Sequence, residues 1–95
     1  MSDYLKYLPL TDELYDFVRR HRSGIGDPIL ADLRSETAVL GDDARMQISE
    51  EQGEFMGILV RLIGTRNAIE VGTFTGYSSL CVARALPEDG KLLCL

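Results

Sequence analysis

The stretch from Asn67 to Ser78 constrains the fold more than any other part of this chain. It begins with a short apolar run, Ala68 to Val71, which is typical of a strand buried on both faces of a parallel sheet. The run breaks at Gly72, and a helical pattern from Tyr77 to Leu86 follows. A strand, a glycine turn and a helix N-terminus in this order predict a binding site for a nucleotide or another anionic ligand.

Glu70 is the charged exception within the predicted strand. A carboxylate buried in a sheet is costly unless it has a partner. Two interpretations follow: Glu70 binds the cationic end of a ligand, or it forms an ion pair with a structural arginine such as Arg45 or Arg66. The two glycines that bracket the turn, Gly72 and Gly76, allow a close approach of the backbone to a ligand.

The residues from Glu70 to Ser78, Glu-Val-Gly-Thr-Phe-Thr-Gly-Tyr-Ser, resemble the first S-adenosylmethionine motif of class I methyltransferases. Two more stretches, Met46 to Phe55 and Ala85 to Lys91, narrow the resemblance. They are similar to segments of the metal-dependent small-molecule O-methyltransferases of the caffeoyl-CoA and catechol type. The resemblance covers residues 46–95, and three motifs in the right order are far more specific than a glycine turn alone.

The resemblance implies an α/β fold, in which N-terminal helices precede the first β-α-β unit of a Rossmann-like methyltransferase sheet. Residues 1–45 would form an N-terminal helical segment, and residues 46–95 would begin the S-adenosylmethionine-binding domain. The implied function is methyl transfer to a small catechol-like or phenolic hydroxyl, with a divalent metal, usually magnesium, as the second cofactor. A homodimer acting on a small-molecule substrate is also implied.

In this family an aspartate follows the second strand, and the metal ligands and catalytic base lie further on. We therefore expect the chain to be the N-terminal part of a larger protein, or a fragment that needs a partner. No catalytic or metal-binding residue is assigned in it.

The resemblance assigns cofactor contacts residue by residue. Glu70 would accept the ammonium of the methionine moiety, and Ser78 in the first helical turn suits its carboxylate. The remaining candidates are Met46, Ile48, Gly72, Thr73, Phe74 and Tyr77. Some relatives have a threonine where this chain has Ile48, so only a backbone or apolar contact carries over there.

Each of these candidates has a purely structural alternative. Met46, Ile48, Phe74 and Tyr77 could be ordinary core residues, and Ser78 could simply cap its helix. Lys6 lies where some relatives place a substrate-contacting lysine, but that stretch matches poorly. Lone His21 is expected to have no chemical role.

Capping residues and apolar spacing predict three helices before the strand. The first is capped by Thr11 and stopped by Gly24, and the second runs from Asp27-Pro28 toward Gly41. A surface loop from Gly41 to Arg45 follows. The third helix spans about Glu50 to Ile63, with a capping box between Ser49 and Gln52. A second strand is expected from Lys91 to Leu95.

The same patterns predict which side chains are buried. The third helix is apolar on most of its circumference, which indicates burial against a sheet or a partner chain. In the fourth helix Leu80, Val82, Ala83 and Leu86 should face inward. Cys81 and Cys94 are expected to be small buried thiols. The basic cluster Arg19, Arg20 and Arg22 is expected to be a solvated helix end.

Composition excludes several classes of function. The formal net charge of −5 argues against a nucleic-acid binder. No apolar run reaches the length of a membrane span, and the N-terminus does not resemble a signal peptide. Two cysteines with no zinc-like spacing favour a reduced, cytoplasmic setting.

Three other functions compete with methyl transfer. A nicotinamide-dependent dehydrogenase would use the same strand-turn-helix order, but the spacing Gly72-x-x-x-Gly76 lacks the third glycine of its motif. A P-loop would need a lysine after the glycine, and Tyr77 stands there. A non-catalytic helical interaction module, which docks the apolar third helix on a partner, explains neither Glu70 nor the two glycines.

Overall fold

The computed structural model describes residues 6–95 of the chain; Met1 to Leu5 lie outside the described residues. Two helices come first, α1 (Asp12–Arg20) and α2 (Pro28–Ala38), followed by a short 3₁₀ helix (Gly41–Met46). Helix α3 (Glu50–Leu62), strand β1 (Asn67–Glu70), helix α4 (Tyr77–Ala85) and strand β2 (Lys91–Cys94) complete the order. None of the helices in this described range is long and apolar enough to cross a membrane.

The predicted β-α-β unit is confirmed. Strands β1 and β2 pair in parallel, with Asn67 opposite Lys91 and Glu70 opposite Cys94. The ladder extends beyond both strands, since Lys91 N–H donates to the Arg66 carbonyl and Leu95 N–H donates to the Glu70 carbonyl, each at 2.8 Å. The carboxyl ends of both strands therefore lie together, beside the start of α4.

The predicted caps of the first two helices are confirmed. Thr11 Oγ1 accepts from Leu14 N–H at 3.1 Å. Asp27 caps α2 by accepting from the backbone of Ile29 and Leu30. Asp27 also pairs with Arg84 of α4, so this cap ties α2 to α4.

Several predicted boundaries were wrong. Helix α1 ends at Arg20 instead of Gly24, because His21 already leaves the helix and donates its N–H to Phe17 and Val18 carbonyls. Residues 41–46 form a 3₁₀ helix rather than an open loop. The capping box at α3 is absent, since Ser49 makes no side-chain cap hydrogen bond.

Helices α3 and α4 pack closely together at two glycines of α3. Gly53 and Gly57 are the buried residues of α3, and they face Tyr77, Cys81 and Ala85 of α4. A side chain on Gly53 would lie 2.8 Å from Cys81 Sγ and 3.0 Å from the Tyr77 ring. The missing side chains let the two helices approach closely.

Within residues 6–95 the apolar face of α3 is not buried against the sheet, so that alternative of the prediction was wrong. Large α3 side chains remain on the surface, at exposures of 58% for Phe55, 53% for Ile58 and 77% for Leu62. The face that α3 turns toward α4 contains the glycines instead. The expected pairing with a second copy of the chain stays a prediction.

The two-stranded sheet also leaves apolar residues on the surface. Ile69 and Val71 are 69% and 82% exposed, so the prediction of a strand buried on both faces was wrong. The reason is that residues 6–95 contribute only two strands to the sheet. Cys94, at the end of β2, is exposed for the same reason, and Cys81 is half-buried.

The burial predicted for α4 is partly correct. Val82 is buried, and Leu80 and Leu86 are half-buried, but Ala83 is exposed. Tyr77 and Ala85 are buried instead, because they lie on the side of α4 that meets the glycines of α3.

Arg22 is a further departure from the sequence prediction. It lies past the end of α1 and is half-buried, where it pairs with Glu50 and with Glu54 at 3.2 Å. Burial raises the pKa of Glu54, but hydrogen bonds from Ser23, Arg22 and the Gly24 backbone outweigh it and hold that pKa below its ordinary 4.5. Arg22 therefore fastens the connection between α1 and α2 onto α3, whereas Arg19 and Arg20 are solvated as predicted.

The Gly53 contact can be tested with a matched pair in one helix. Gly53→Ala should lower the free energy of unfolding by about 1–3 kcal/mol, because the methyl group overpacks the contact. Gly57→Ala should be neutral or gain up to about 1 kcal/mol, since its new methyl meets nothing closer than 3.7 Å and alanine favours the helix. Urea unfolding measures both, and equal effects at the two positions would contradict the assigned contact.

The lowered pKa of Glu54 predicts acid sensitivity. A carboxylate with a depressed folded-state pKa contributes its full stability above its unfolded-state pKa, and loses it as the pH falls through the folded-state value. The melting temperature should therefore decrease as the pH is lowered below about 4.5. In Glu54→Gln the melting temperature should depend less on pH over the same range. Thermal melts across this range, with Glu88→Gln in the exposed turn before β2 as the control, test the assignment. An unchanged pH profile in Glu54→Gln would contradict it.

Candidate functional site

The site begins at the loop Val71 to Gly76, which joins β1 to α4 and is called here the glycine loop. Three of its six residues have positive φ: Gly72 at 86°, Phe74 at 50° and Gly76 at 93°. Phe74 is the only residue other than glycine with positive φ in the described range. Such a backbone costs a residue with a side chain about 1–3 kcal/mol and persists where the surroundings hold it.

The start of the glycine loop is held by the end of β2. Gly72 N–H and Thr73 N–H both donate to the Leu95 carbonyl, at 3.0 and 3.2 Å. Thr73 Oγ1 donates to the same carbonyl at 3.2 Å. The loop then turns through a hydrogen bond of 2.9 Å from Gly76 N–H to the Thr73 carbonyl. These bonds fix the loop at the carboxyl edge of the sheet.

Glu70 is half-buried at the end of β1 and accepts two hydroxyl hydrogen bonds. Ser78 Oγ donates at 2.6 Å and Ser79 Oγ at 3.0 Å, one to each carboxylate oxygen. The alternative ion pair is not seen, because Arg66 pairs with Asp89 and Arg45 donates to the Asp42 carbonyl. Within residues 6–95, no lysine or arginine neutralises Glu70.

The N-terminus of α4 adjoins this carboxylate. Gly76 occupies the N-cap position and provides no side-chain acceptor for the first N–H groups of the helix. Those groups and the helix dipole attract an anion. The site therefore presents a negative group and a positive helix end side by side.

A cleft of about 50 Å³ lies between the glycine loop and the segment after the 3₁₀ helix. Seven of the eight predicted site residues line it, and Glu70 lies behind it, bonded to Ser78. The lining residues are Met46, Gln47, Ile48, Gly72, Thr73, Phe74, Thr75, Tyr77 and Ser78. The predicted residues therefore come together around one cleft.

Tyr77 supports the cleft from inside. It is 3% exposed, and the Arg34 guanidinium lies over its ring at 4.7 Å from the ring centre. Burial raises the pKa of Tyr77, and the positive charge of Arg34 opposes that rise. Arg34 also donates to the Ile48 carbonyl at 2.7 Å, so it ties the ring to the opposite wall of the cleft.

Sequence reasoning missed four residues of this region. Gln47 and Thr75 line the cleft, Ser79 bonds Glu70, and Thr37 is buried behind the loop. The position of Ser79 one residue after Ser78 could have indicated a second donor at the helix start. Nothing in the sequence pattern indicated Thr37, because its role depends on a contact across 38 positions.

Other candidates lie apart from the cleft. Lys6 is exposed and does not line it. His21 stacks on Phe17 with ring centres 4.0 Å apart, and its Nδ1 lies 2.7 Å from the Phe17 carbonyl. Among residues 6–95, no group of three or more histidine, cysteine or acidic side chains is arranged to hold a metal ion.

Comparison with protein families decides the assignment. The model of the O-methyltransferase family matches residues 20–95, which include the glycine loop and the whole β-α-β unit. The chain belongs to this O-methyltransferase family. Because the family uses S-adenosylmethionine, the cleft at the carboxyl edge of β1 becomes the candidate cofactor site.

Curated relatives agree with the O-methyltransferase assignment. Caffeoyl-CoA O-methyltransferase 1 of Arabidopsis thaliana is 36% identical over 91 residues, which cover 95% of this chain and 35% of the relative. Caffeoyl-CoA O-methyltransferase 2 of Petunia hybrida is 50% identical over 50 residues, or 53% of this chain and 21% of the relative. The chain spans between 19% and 40% of the length of such relatives.

Solved methyltransferase structures contain the same arrangement of helices and strands over part of their length. The O-methyltransferase TomG of Streptomyces achromogenes, solved in complex with S-adenosylmethionine, superposes with a TM-score of 0.71 at 34% identity. That match covers 84% of this chain and 34% of TomG. A methyltransferase of Podospora anserina bound to S-adenosylhomocysteine superposes with a TM-score of 0.76 at 22% identity. That match covers 93% of this chain and 39% of the Podospora chain, and it supports the fold alone.

The backbone of the glycine loop generates a prediction with an internal control. Gly72→Ala and Gly64→Ala should each lower the free energy of unfolding by about 1–2 kcal/mol. Both glycines have positive φ, and a methyl group at either would meet nothing within 4 Å, so the cost is backbone strain alone. Urea unfolding measures it. A loss at Gly72 several times larger than at Gly64 would show that packing also acts there.

Proposed function

We propose that the protein binds S-adenosylmethionine in the cleft at the end of β1 and serves methyl transfer to a small catechol-like or phenolic hydroxyl. The observation that carries this proposal is Glu70, a half-buried carboxylate with two hydroxyl donors and no cation in the described range. It lies beside the uncapped N-terminus of α4. A negative and a positive group so placed suit the zwitterionic methionine end of the cofactor.

Glu70 would receive the ammonium group. A partly buried carboxylate is stabilised by an opposite charge, and the two serine hydroxyls supply dipoles but no charge. They also hold the carboxylate in one orientation, because each serine bonds a different oxygen. An incoming ammonium would thus meet a preoriented acceptor.

The first turn of α4 would receive the cofactor carboxylate. The hydroxyl hydrogen of Ser78 is directed to Glu70, so the contribution of Ser78 to an anion would come from its backbone N–H. Neighbouring N–H groups of the helix start point the same way, and the dipole favours negative charge there. This division of roles lets Ser78 serve both charged ends of the ligand.

The remaining lining residues suit the rest of the cofactor. Gly72 leaves open space above the loop, and Met46, Ile48, Phe74 and Tyr77 offer apolar surface. The cleft of about 50 Å³ is partly open to solvent and small compared with the whole cofactor. It would therefore hold a small charged group, while the larger moieties would lie over exposed surface such as Met46, which is 63% exposed.

The substrate class rests on the relatives. Their names specify caffeoyl-CoA, which carries a catechol-like ring, and this supports a phenolic acceptor for the present protein. The family also implies a divalent metal, but residues 6–95 do not provide a fitting set of ligands. The role proposed for the described residues is to bind and orient the cofactor.

Calorimetric titration with S-adenosylhomocysteine tests the proposal, with NAD as the control ligand. We expect the homocysteine compound to bind and NAD to give no heat. At about a hundred times its dissociation constant, S-adenosylhomocysteine should add roughly 2.7 kcal/mol of apparent stability in a thermal melt. Glu70→Gln should weaken binding by about tenfold to a hundredfold, the value of a charged hydrogen bond.

Asp89→Asn is the matched control for Glu70→Gln. Asp89 is also an acid, but it pairs with Arg66 in the turn before β2, far along the sheet from the cleft. Its substitution should leave the dissociation constant within about twofold. Binding of NAD, or equal weakening by the two substitutions, would overturn the proposed site.

A further inference from the structure

Thr37, in the last turn of α2, is the one buried polar residue in the described range, at 2% exposure. Its Oγ1 donates to Thr75 Oγ1 at 2.9 Å. Gln47 Nε2 donates to Thr37 Oγ1 at 3.2 Å and lies 3.5 Å from Thr75 Oγ1. These three side chains, Thr37, Gln47 and Thr75, are called here the threonine network.

The threonine network joins both walls of the cleft. Gln47 lies between Met46 and Ile48 in one wall. Thr75 belongs to the other wall, between Phe74 and Gly76, which both have positive φ. Thr37 belongs to neither wall and bonds both from behind.

The second half of the glycine loop depends on this network. Its first half is held by the Leu95 carbonyl, which accepts from Gly72 and Thr73. Beyond that point, Thr75 links the loop to separate segments through two side-chain hydrogen bonds: the shorter is from the Thr37 hydroxyl at 2.9 Å, and the longer is from Gln47 Nε2 at 3.5 Å. A buried hydroxyl without its partner is strongly disfavoured, so the Thr37 bond favours a single loop conformation.

We propose that Thr37 is a positioning residue for the cofactor site: through Thr75 and Gln47 it holds the two walls of the cleft at a fixed separation and keeps Phe74 in its left-handed conformation. The identity of the ligand rests on the proposed function. The order of the glycine loop does not rest on the proposed function, so the positioning role of Thr37 and the identity of the ligand can fail separately.

The experiment compares Thr37→Val, Thr37→Ser and Val82→Ala with the unmodified protein. Valine keeps the shape of threonine and removes its hydroxyl, and serine keeps the hydroxyl. Val82 is buried in α4 and takes no part in the hydrogen bonds of the network, so it is the control for general loss of stability. Amide hydrogen exchange at Gly76, whose N–H bonds the Thr73 carbonyl, reports loop order, and calorimetry reports the dissociation constant for S-adenosylhomocysteine.

Thr37→Val should speed exchange at Gly76 at least tenfold and weaken S-adenosylhomocysteine binding at least tenfold. Thr37→Ser should stay within threefold of the unmodified protein in both measurements. Val82→Ala should lower the melting temperature at least as much as Thr37→Val does, yet stay within threefold in both. This pattern would support positioning, because lost stability alone would not single out the loop.

Unchanged exchange at Gly76 in Thr37→Val would overturn the inference, as would equal effects in Val82→Ala or no rescue by serine. If the unmodified protein does not bind S-adenosylhomocysteine, the proposed function fails while the exchange measurement still decides the role of Thr37. If Thr37→Val does not fold, Gln47→Met at a half-buried position replaces it, with faster Gly76 exchange as the supporting result and unchanged exchange as the contrary one.

Discussion

The close approach of α3 to α4 at Gly53 is the contact on which the rest of this structure depends. It brings the backbone of α3 against Cys81 and the ring of Tyr77. Tyr77 is the first residue of α4, so this contact sets where the helix begins relative to β1. The direction of the uncapped N–H groups, the path of the glycine loop and the position of Ser78 over Glu70 follow from it.

Charge is distributed in two different ways around this contact. On the outer side, Arg22 is matched by Glu50 and Glu54, and Arg34 lies over Tyr77 while bonding Ile48. On the cleft side, Glu70 has hydroxyl partners only. A protein rarely leaves a partly buried carboxylate without a cation unless a ligand supplies one. This asymmetry separates the structural charges from the one that we assign to the cofactor.

Much of the site could be read from the sequence because its residues are local. Glu70, Gly72, Thr73, Phe74, Tyr77 and Ser78 lie within nine positions, where the strand, turn and helix bring them together automatically. The assignment of Met46 and Ile48 rests on the resemblance of their segment to the family, and not on physical reasoning. Prediction from the sequence fails where burial depends on distant partners: apolar spacing indicates the large apolar residues of α3 as its contact face, but Gly53 and Gly57 form it. The predictions for Arg22 and Ser49 were wrong for related reasons. Arg22 pairs with Glu50 and Glu54 instead of ending a solvated helix, and the Ser49 side chain does not cap α3.

The sequence by itself determined the order of the four α-helices and two strands, the tight glycine turn and the family, because apolar periodicity, capping residues and glycines act over a few positions. Only the tertiary structure decided which faces are buried and what Glu70 bonds. It also revealed Thr37, whose hydroxyl is buried against Thr75, 38 residues away. Hydrogen bonds and packing between distant segments have no periodic signature in a sequence, since any of several polar residues could have met there.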